Sequence, residues 1–219
     1  MSRRPQKVTP ELVLRAYQAG FFPMAETRAA DDLFWLDPEL RGILPLDAFH
    51  LPRRLLRTAL SDAFLVAVDT DFPATIAACA APGTGAGRGE TWINPDIERL
   101  FTALHRMGYA HSVECRVGGD LVGGLYGVAI GGAFFGESMF SRVRDASKVA
   151  LAHLVARLRL GGFTLLDTQF VTAHLSQFGA IEIARADYKA RLAAALDVNG
   201  TWAADDGEVR QAIRGLRAG

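Results

Sequence analysis

The stretch from Leu121 to Gln169, LVGGLYGVAIGGAFFGESMFSRVRDASKVALAHLVARLRLGGFTLLDTQ, decides the fold. Two strand-like runs, Leu121 to Ile130 and Ala133 to Phe140, flank Gly131 and Gly132, which suit the tight turn of a hairpin. After Ser147 the spacing becomes helical: Ala150, Leu151, Leu154, Val155 and Leu158 form one apolar stripe, and Gly161 and Gly162 end it. A further short strand-like run closes on Asp167 and Gln169. This succession predicts an open α/β or mixed α+β sheet, and a sheet of the N-acetyltransferase kind, with a helix after its central hairpin, fits it.

Three polar residues interrupt these apolar elements. Period two sets Glu137 between Phe135 and Met139 on one strand face, and Asp167 beside Gln169 on another. Buried polar groups need partners, and a functional site is one reason to keep them. Carboxylates accept hydrogen bonds while glutamine donates and accepts, so the three suit positioning of an amine, a carbonyl or a hydroxyl. The structural alternative for Glu137 is to satisfy a backbone donor or to pair with an arginine.

Toward the N-terminus, Thr9 caps a helix that begins at Pro10, carries Leu12, Val13, Ala16 and Tyr17 on one stripe and stops at Gly20. Phe21 to Met24 reads as an apolar turn, and Pro38 and Pro45 argue against a long element around FWLDPELRGILPL. Arg53, Arg54 and Arg57 follow Pro52 and give a helix a basic face, suited to phosphate or simply solvated. Ala63 to Val68 predicts a strand and Asp71 to Ala80 a helix. The glycine-rich run from Ala81 to Glu90 lacks the lysine and hydroxyl ending of a phosphate-cradling P-loop. Asn94 caps a helix carrying Ile97, Leu100, Phe101 and Leu104, and Ser112 to Val117 is strand-like. Beyond Gln169 the pattern gives a short helix over Val171 to Phe178, a strand over Ala180 to Ile183, a helix over Asp187 to Leu196 and a looser charged tail. A small N-terminal module over residues 1–60 and a larger strand-and-helix domain over 61–219 follow.

Half of the 219 residues are hydrophobic and 22% are charged, which excludes fibrous and disordered classes. With 24 basic and 24 acidic side chains, only a local patch could attract nucleic acid. The start lacks a signal-peptide core and no run is long enough to span a bilayer, so a soluble cytoplasmic protein with no membrane association is expected. Cys79 and Cys115 read as unrelated reduced thiols, and His105, His111, His153 and His174 fix no triad or metal centre.

Eight pieces of the chain carry a resemblance: GFFPM at Gly20 to Met24, WLDPELRGILPL at Trp35 to Leu46, TWINP at Thr91 to Pro95, AHSVE at Ala110 to Glu114, LVGGLYG at Leu121 to Gly127, FFGESMFS at Phe134 to Ser141, ASK at Ala146 to Lys148, and LLDTQF at Leu165 to Phe170. Together they resemble the leucyl/phenylalanyl-tRNA-protein transferase family over almost its full length. FFGESMFS and the DxQ element thirty residues after Glu137 are specific jointly, not singly.

That resemblance implies a small N-terminal domain joined to an N-acetyltransferase-like (GNAT-like) C-terminal domain. It implies an aminoacyltransferase that moves Leu or Phe, less readily Met, from aminoacyl-tRNA to the N-terminal amine of proteins beginning with Arg or Lys, marking them as N-degrons for proteolysis. Leu-tRNA and Phe-tRNA are then the donors, no cofactor or metal is implied because the ester is already activated, and a monomer is expected. By the same resemblance Asp167, Gln169 and Glu137 are the catalytic residues, and Leu125, Met139, Leu151, Leu154, Leu158 and Leu166 form the acyl pocket. Trp35 and Trp92 are flat contacts for the aminoacyl end and terminal adenosine, with core packing as the alternative for both, and Arg53 and Arg57 contact tRNA, with Arg54 a local addition to that basic face. Where members often carry two adjacent tryptophans, this chain has Trp35 and Leu36. The alternatives are an acetyl-CoA-dependent N-acyltransferase, which lacks its pyrophosphate loop here, and a noncatalytic RNA-binding protein, which has no need of the three polar residues.

Overall fold

A computed structural model of the chain describes residues 8–81, 91–202 and 204–216. The elements run α1 (Pro10–Gln18), β1 (Phe22–Met24), β2 (Phe34–Leu36), β3 (Leu40–Ile43), α2 (Arg53–Leu60), β4 (Leu65–Val68), α3 (Phe72–Ala80), α4 (Pro95–Arg106), β5 (Ala110–Val117), β6 (Asp120–Ile130), β7 (Ala133–Ser141), α5 (Ala146–Leu160), β8 (Leu165–Gln169), α6 (Ala173–Ser176), β9 (Ile181–Ala184), α7 (Arg185–Leu196) and α8 (Asp206–Gly215). The helix starts follow local chemistry. Thr9, Asp71 and Asn94 each accept a hydrogen bond from a backbone amide in the first turn, and a proline opens all three helices. Such a cap contributes about 1 kcal/mol. The glycine-rich run read as a loop lies, from residue 82 onward, outside the described residues.

Seven strands form one sheet in the order β4-β5-β6-β7-β8-β3-β9, and β1 pairs with β2 in a separate ribbon. Every neighbouring pair is antiparallel except β7 with β8. The α5 helix is the crossover that lets β8 return parallel to β7. Helices α2, α5 and α8 cover one face; α1, α3, α4 and α7 cover the other. Sandwiched between the sheet and two outer helices, α5 buries nearly every residue from Ala146 to Leu158, the polar Ser147, His153 and Arg157 among them.

The mixed α/β architecture and the helix after the central hairpin are as expected, with three corrections. Both β3 and α2 precede residue 60, yet β3 sits between β8 and β9 inside the large sheet and α2 packs on α5. The small N-terminal unit is therefore α1 with the β1–β2 ribbon, and the larger unit begins at β3. The apolar Phe21 to Met24 segment supplies a strand to that ribbon instead of a turn. The described part of the tail is not loose: Trp202 stacks on Phe134 at 5.5 Å, and Val209, Ile213 and Leu216 are buried against α5.

One irregularity matters for the site. Tyr126 pairs with Ser138 and Gly127 with Gly136, which leaves Glu137 as the extra residue of a β-bulge. Before the bulge Phe134 faces α5 and Phe135 the opposite core; after it Met139 faces α5 and Phe140 the opposite core. Phe135, Glu137 and Met139 thus do not share one face, because the bulge shifts the alternation by one residue. Across from it, Gly127 admits no side chain: a Cβ would stand 2.3 Å from the Phe135 carbonyl oxygen.

Candidate active site

Strands β7 and β8 pair over three positions, from Ala133 opposite Leu165 to Phe135 opposite Asp167, and then part. A cavity of about 590 Å³ opens where they separate. Its place beyond the carboxyl ends of parallel strands is one where open α/β sheets hold ligands. Both strands are distorted at its edge, β7 at Glu137 and β8 between Asp167 and Gln169. The second distortion needs Gly42 on β3, where a Cβ would lie 2.6 Å from the Phe170 carbonyl carbon.

The wall on the α5 side is apolar: Leu125, Met139, Leu151, Leu154, Leu166 and Leu175 line it. Five of these were expected and Leu175, on α6, was not. Leu158, expected here, lies one turn further along α5 and is fully buried in the core instead. Trp92 lines the cavity near Phe22 and Met24. Trp35 does not; it sits opposite Pro23 in the ribbon, packed against the core under α1 and α7.

The other wall is polar. Glu137 accepts a 2.7 Å hydrogen bond from the Tyr17 hydroxyl on α1. Enclosure by protein pushes its carboxyl up to about 8, against the Tyr17 bond and Arg41, which lower it, while Asp167 adds to the rise. Gln169 lines the cavity with its backbone in the left-handed region at φ 56°, rare for a residue with a side chain. Its backbone N–H donates to Asp167 Oδ1 at 2.8 Å, while its Nε2 is buried with no hydrogen-bond partner among the described residues. The buried hydroxyls of Tyr126 and Thr168, both on the lining, are likewise without partners. Three such atoms around one cavity are what a polar ligand would satisfy.

Asp167 is not on the lining. It is fully buried beneath Gln169, where Arg41 Nε lies 3.0 and 3.2 Å from its two oxygens, Arg41 Nη2 2.6 Å from Oδ2, and the Tyr188 hydroxyl 2.7 Å from Oδ2. The expectation that Asp167 itself faces substrate is corrected: its lone pairs are taken by protein donors.

A family model described as leucyl/phenylalanyl-tRNA protein transferase matches residues 43–193, and one for that family's N-terminal domain matches residues 6–39. The chain belongs to the leucyl/phenylalanyl-tRNA-protein transferase family. It is 56% identical to the leucyl/phenylalanyl-tRNA--protein transferase of Rhodopseudomonas palustris (strain TIE-1), over 93% of this chain and 89% of that one. With its counterpart from Paramagnetospirillum magneticum it is 61% identical over 86% and 90%. The enzyme is thus an aminoacyltransferase, and the two matched segments are separated by residues 40–42, which lie in β3.

In this transferase the three expected tRNA-contacting arginines are exposed on α2, but they differ. Arg54 donates to both oxygens of Asp145, at 2.8 and 3.2 Å, and so clasps α2 to the start of α5. Asp145 also gathers Arg144 and Lys148. Arg53 and Arg57 have no ion pair among the described residues. Two residues past Asp145, Ser147 lines the cavity. Reading the sequence missed Tyr17, Arg41 and Tyr188; an arginine inside the apolar GILPL neighbourhood was the available signal for one of them. His174, set aside as structural, lines the cavity. No helix among the described residues is long and apolar enough to cross a membrane, and none of their His, Cys, Asp and Glu side chains form a group of three or more able to hold a metal.

Proposed function

We propose that the enzyme transfers Leu or Phe, and less readily Met, from aminoacyl-tRNA to the N-terminal amine of proteins that begin with Arg or Lys, and so marks them as N-degrons. The observation that carries this reading is the two-sided cavity, an apolar wall facing Glu137 and Gln169 across the gap between β7 and β8. The leucines and Met139 suit an apolar acyl side chain, and a flexible thioether adapts to branched and aromatic shapes alike. Arg53 and Arg57 on α2 suit the phosphates of the tRNA acceptor end, read by shape and charge. Trp92 offers a flat face for the terminal nucleotide.

In the reaction the acceptor amine forms a bond to the aminoacyl carbonyl carbon, the ester bond to the ribose oxygen breaks, and the proton released by the amine ends on that oxygen. Gln169 Nε2 is a donor without a partner among the described residues and can hold the carbonyl oxygen as charge develops on it. Glu137, whose carboxyl enclosure by protein pushes up to about 8, is suited to exchange a proton with the acceptor amine near neutral pH. Asp167 acts through Gln169, since Arg41 and Tyr188 occupy its oxygens. The activity belongs to a cytoplasmic monomer.

The test is a purified transfer assay with Leu-tRNA, Phe-tRNA and acetyl-CoA as donors and peptides starting with Arg, Lys or Ala as acceptors. Transfer from both charged tRNAs to the Arg and Lys peptides alone is expected. Exclusive acetyl transfer would turn the reading to an acetyl-CoA enzyme, and tRNA binding with no transfer to a noncatalytic RNA-binding protein.

A further inference from the structure

We propose that Arg41 and Tyr188 are positioning residues for the transfer step: they fix the Asp167 carboxylate, which in turn holds the Gln169 backbone amide and sets the direction of the Gln169 carboxamide. This rests on the role given to Gln169 above.

Four donor groups converge on Asp167 and leave it one orientation. Arg41 Nε and the Gln169 N–H meet Oδ1 at 3.0 and 2.8 Å; Arg41 Nη2 and the Tyr188 hydroxyl meet Oδ2 at 2.6 and 2.7 Å. The guanidinium is itself immobilised. Its Nη1 donates to the Gly20 carbonyl at 3.1 Å, and its carbon lies 4.4 Å from the ring centres of both Phe22 and Tyr188. Arginine's planar fork is what such a bidentate, ring-stacked arrangement requires, and lysine cannot reproduce it.

A buried ion pair is weak evidence of stability, because desolvation offsets most of its attraction and apolar packing of similar volume does as well. Its location supplies the better reason. Arg41 comes from β3, Tyr188 from α7 and Asp167 from β8, and their common end point is the one backbone amide whose residue adopts a left-handed conformation at the cavity. That conformation is unfavourable for glutamine and persists only when neighbours over-determine it. The Asp167 Oδ1 bond is the local contact that does so, and Gly42, next to Arg41, makes the room for it.

The test compares Tyr188→Phe, Arg41→Lys and Val209→Ala with the wild type. The first keeps the ring and removes one donor, the second keeps the charge and removes the fork, and the third trims a buried residue in α8 that is not on the cavity lining. Hydrogen exchange of the Gln169 amide, donor Kd, the single-turnover rate at saturating Leu-tRNA and thermal unfolding are measured for each. Tyr188→Phe is expected to lower the saturated rate about tenfold and Arg41→Lys about a hundredfold, with donor Kd within about twofold and faster exchange at Gln169 in both. Val209→Ala is expected to lower the thermal midpoint while leaving rate and Gln169 exchange unchanged. Should Arg41→Lys fail to fold, Tyr188→Phe decides. A folded Tyr188→Phe protein with wild-type rate and wild-type Gln169 exchange would overturn the proposal, as would losses that track the unfolded fraction. If the wild type transfers nothing, the aminoacyl reading falls, while Gln169 exchange still decides whether Arg41 and Tyr188 hold that amide.

Discussion

On the α5 side of the cavity six apolar side chains share the work of shaping it, whereas on the opposite side Glu137 is held by Tyr17 from across the fold and Gln169 by Asp167, which Arg41 holds in turn from across the fold. Removing one methyl group from the first wall changes a volume that neighbours partly refill. Removing one donor from the second leaves a buried polar atom with nothing to replace it. The apolar wall should therefore respond to substitution by degrees and by substrate, and the polar wall steeply and for every substrate alike.

The steepest response is expected at Gln169. Gln169→Ala removes the carboxamide and should lower the saturated single-turnover rate by about 10² to 10³ for Leu and Phe equally, with donor affinity within about threefold. Rapid-quench measurements alongside thermal unfolding check this; a loss confined to one donor would move Gln169 to the side-chain pocket. On the other wall, Met139→Trp should reduce Phe transfer about tenfold more than Leu transfer, by filling the deeper pocket volume. Initial rates with both donors decide it, and equal losses explained by unfolded protein would return Met139 to the core.

Glu137 gives a response in pH. Its carboxyl rises from an ordinary 4.5 to about 8, first because it is enclosed by protein. Between those values the folded chain keeps a proton that the unfolded chain has lost, so Glu137 lowers stability as pH rises through that window and adds no further change above it. Denaturant melts from about pH 5 to about pH 9 should show Glu137→Gln flattening this decline, by at most about 1.4 kcal/mol per pH unit. A variant with the wild-type pH profile would show that the carboxyl is solvated.

The smallest effect on chemistry is expected furthest from both walls. Reversing Arg53 and Arg57 to Glu should weaken tRNA binding and lower the salt slope by about two, while the saturated rate stays within about twofold. Binding across a salt series measures it. An unchanged slope in the folded variant would take α2 out of the tRNA surface.

What the sequence makes legible divides along the same line. Five of the six apolar wall residues are named through the family resemblance, and the hairpin, α5 and the capped helices follow from spacings of two to four residues, which can be read locally. The polar wall does not. Tyr17 and Glu137 are 120 positions apart and Arg41 and Asp167 are 126 apart, and no local pattern joins them. The Glu137 bulge defeats a period-two reading because alternation presumes a regular strand, although glycines at 127 and 136 mark where it breaks. Prolines around GILPL hid β3, whose place in the sheet is set by β8 and β9 on either side. Charge made the tail read as loose, yet Val209 and Ile213 stand one helical turn apart behind an Asp205 cap, and Arg157 reaches from α5 to pair with Asp206.

The central claim is that Asp167 acts only through Gln169, and a double-mutant cycle on the saturated transfer rate tests it most directly. Asp167→Asn, Gln169→Ala and the double variant are compared with the wild type in single-turnover reactions with Leu-tRNA and an Arg-starting peptide, corrected for the folded fraction. The account predicts that the double variant is no slower than Gln169→Ala alone, because once the carboxamide is gone its positioning no longer matters. Losses that multiply would contradict it and give Asp167 a role of its own at the reacting centre.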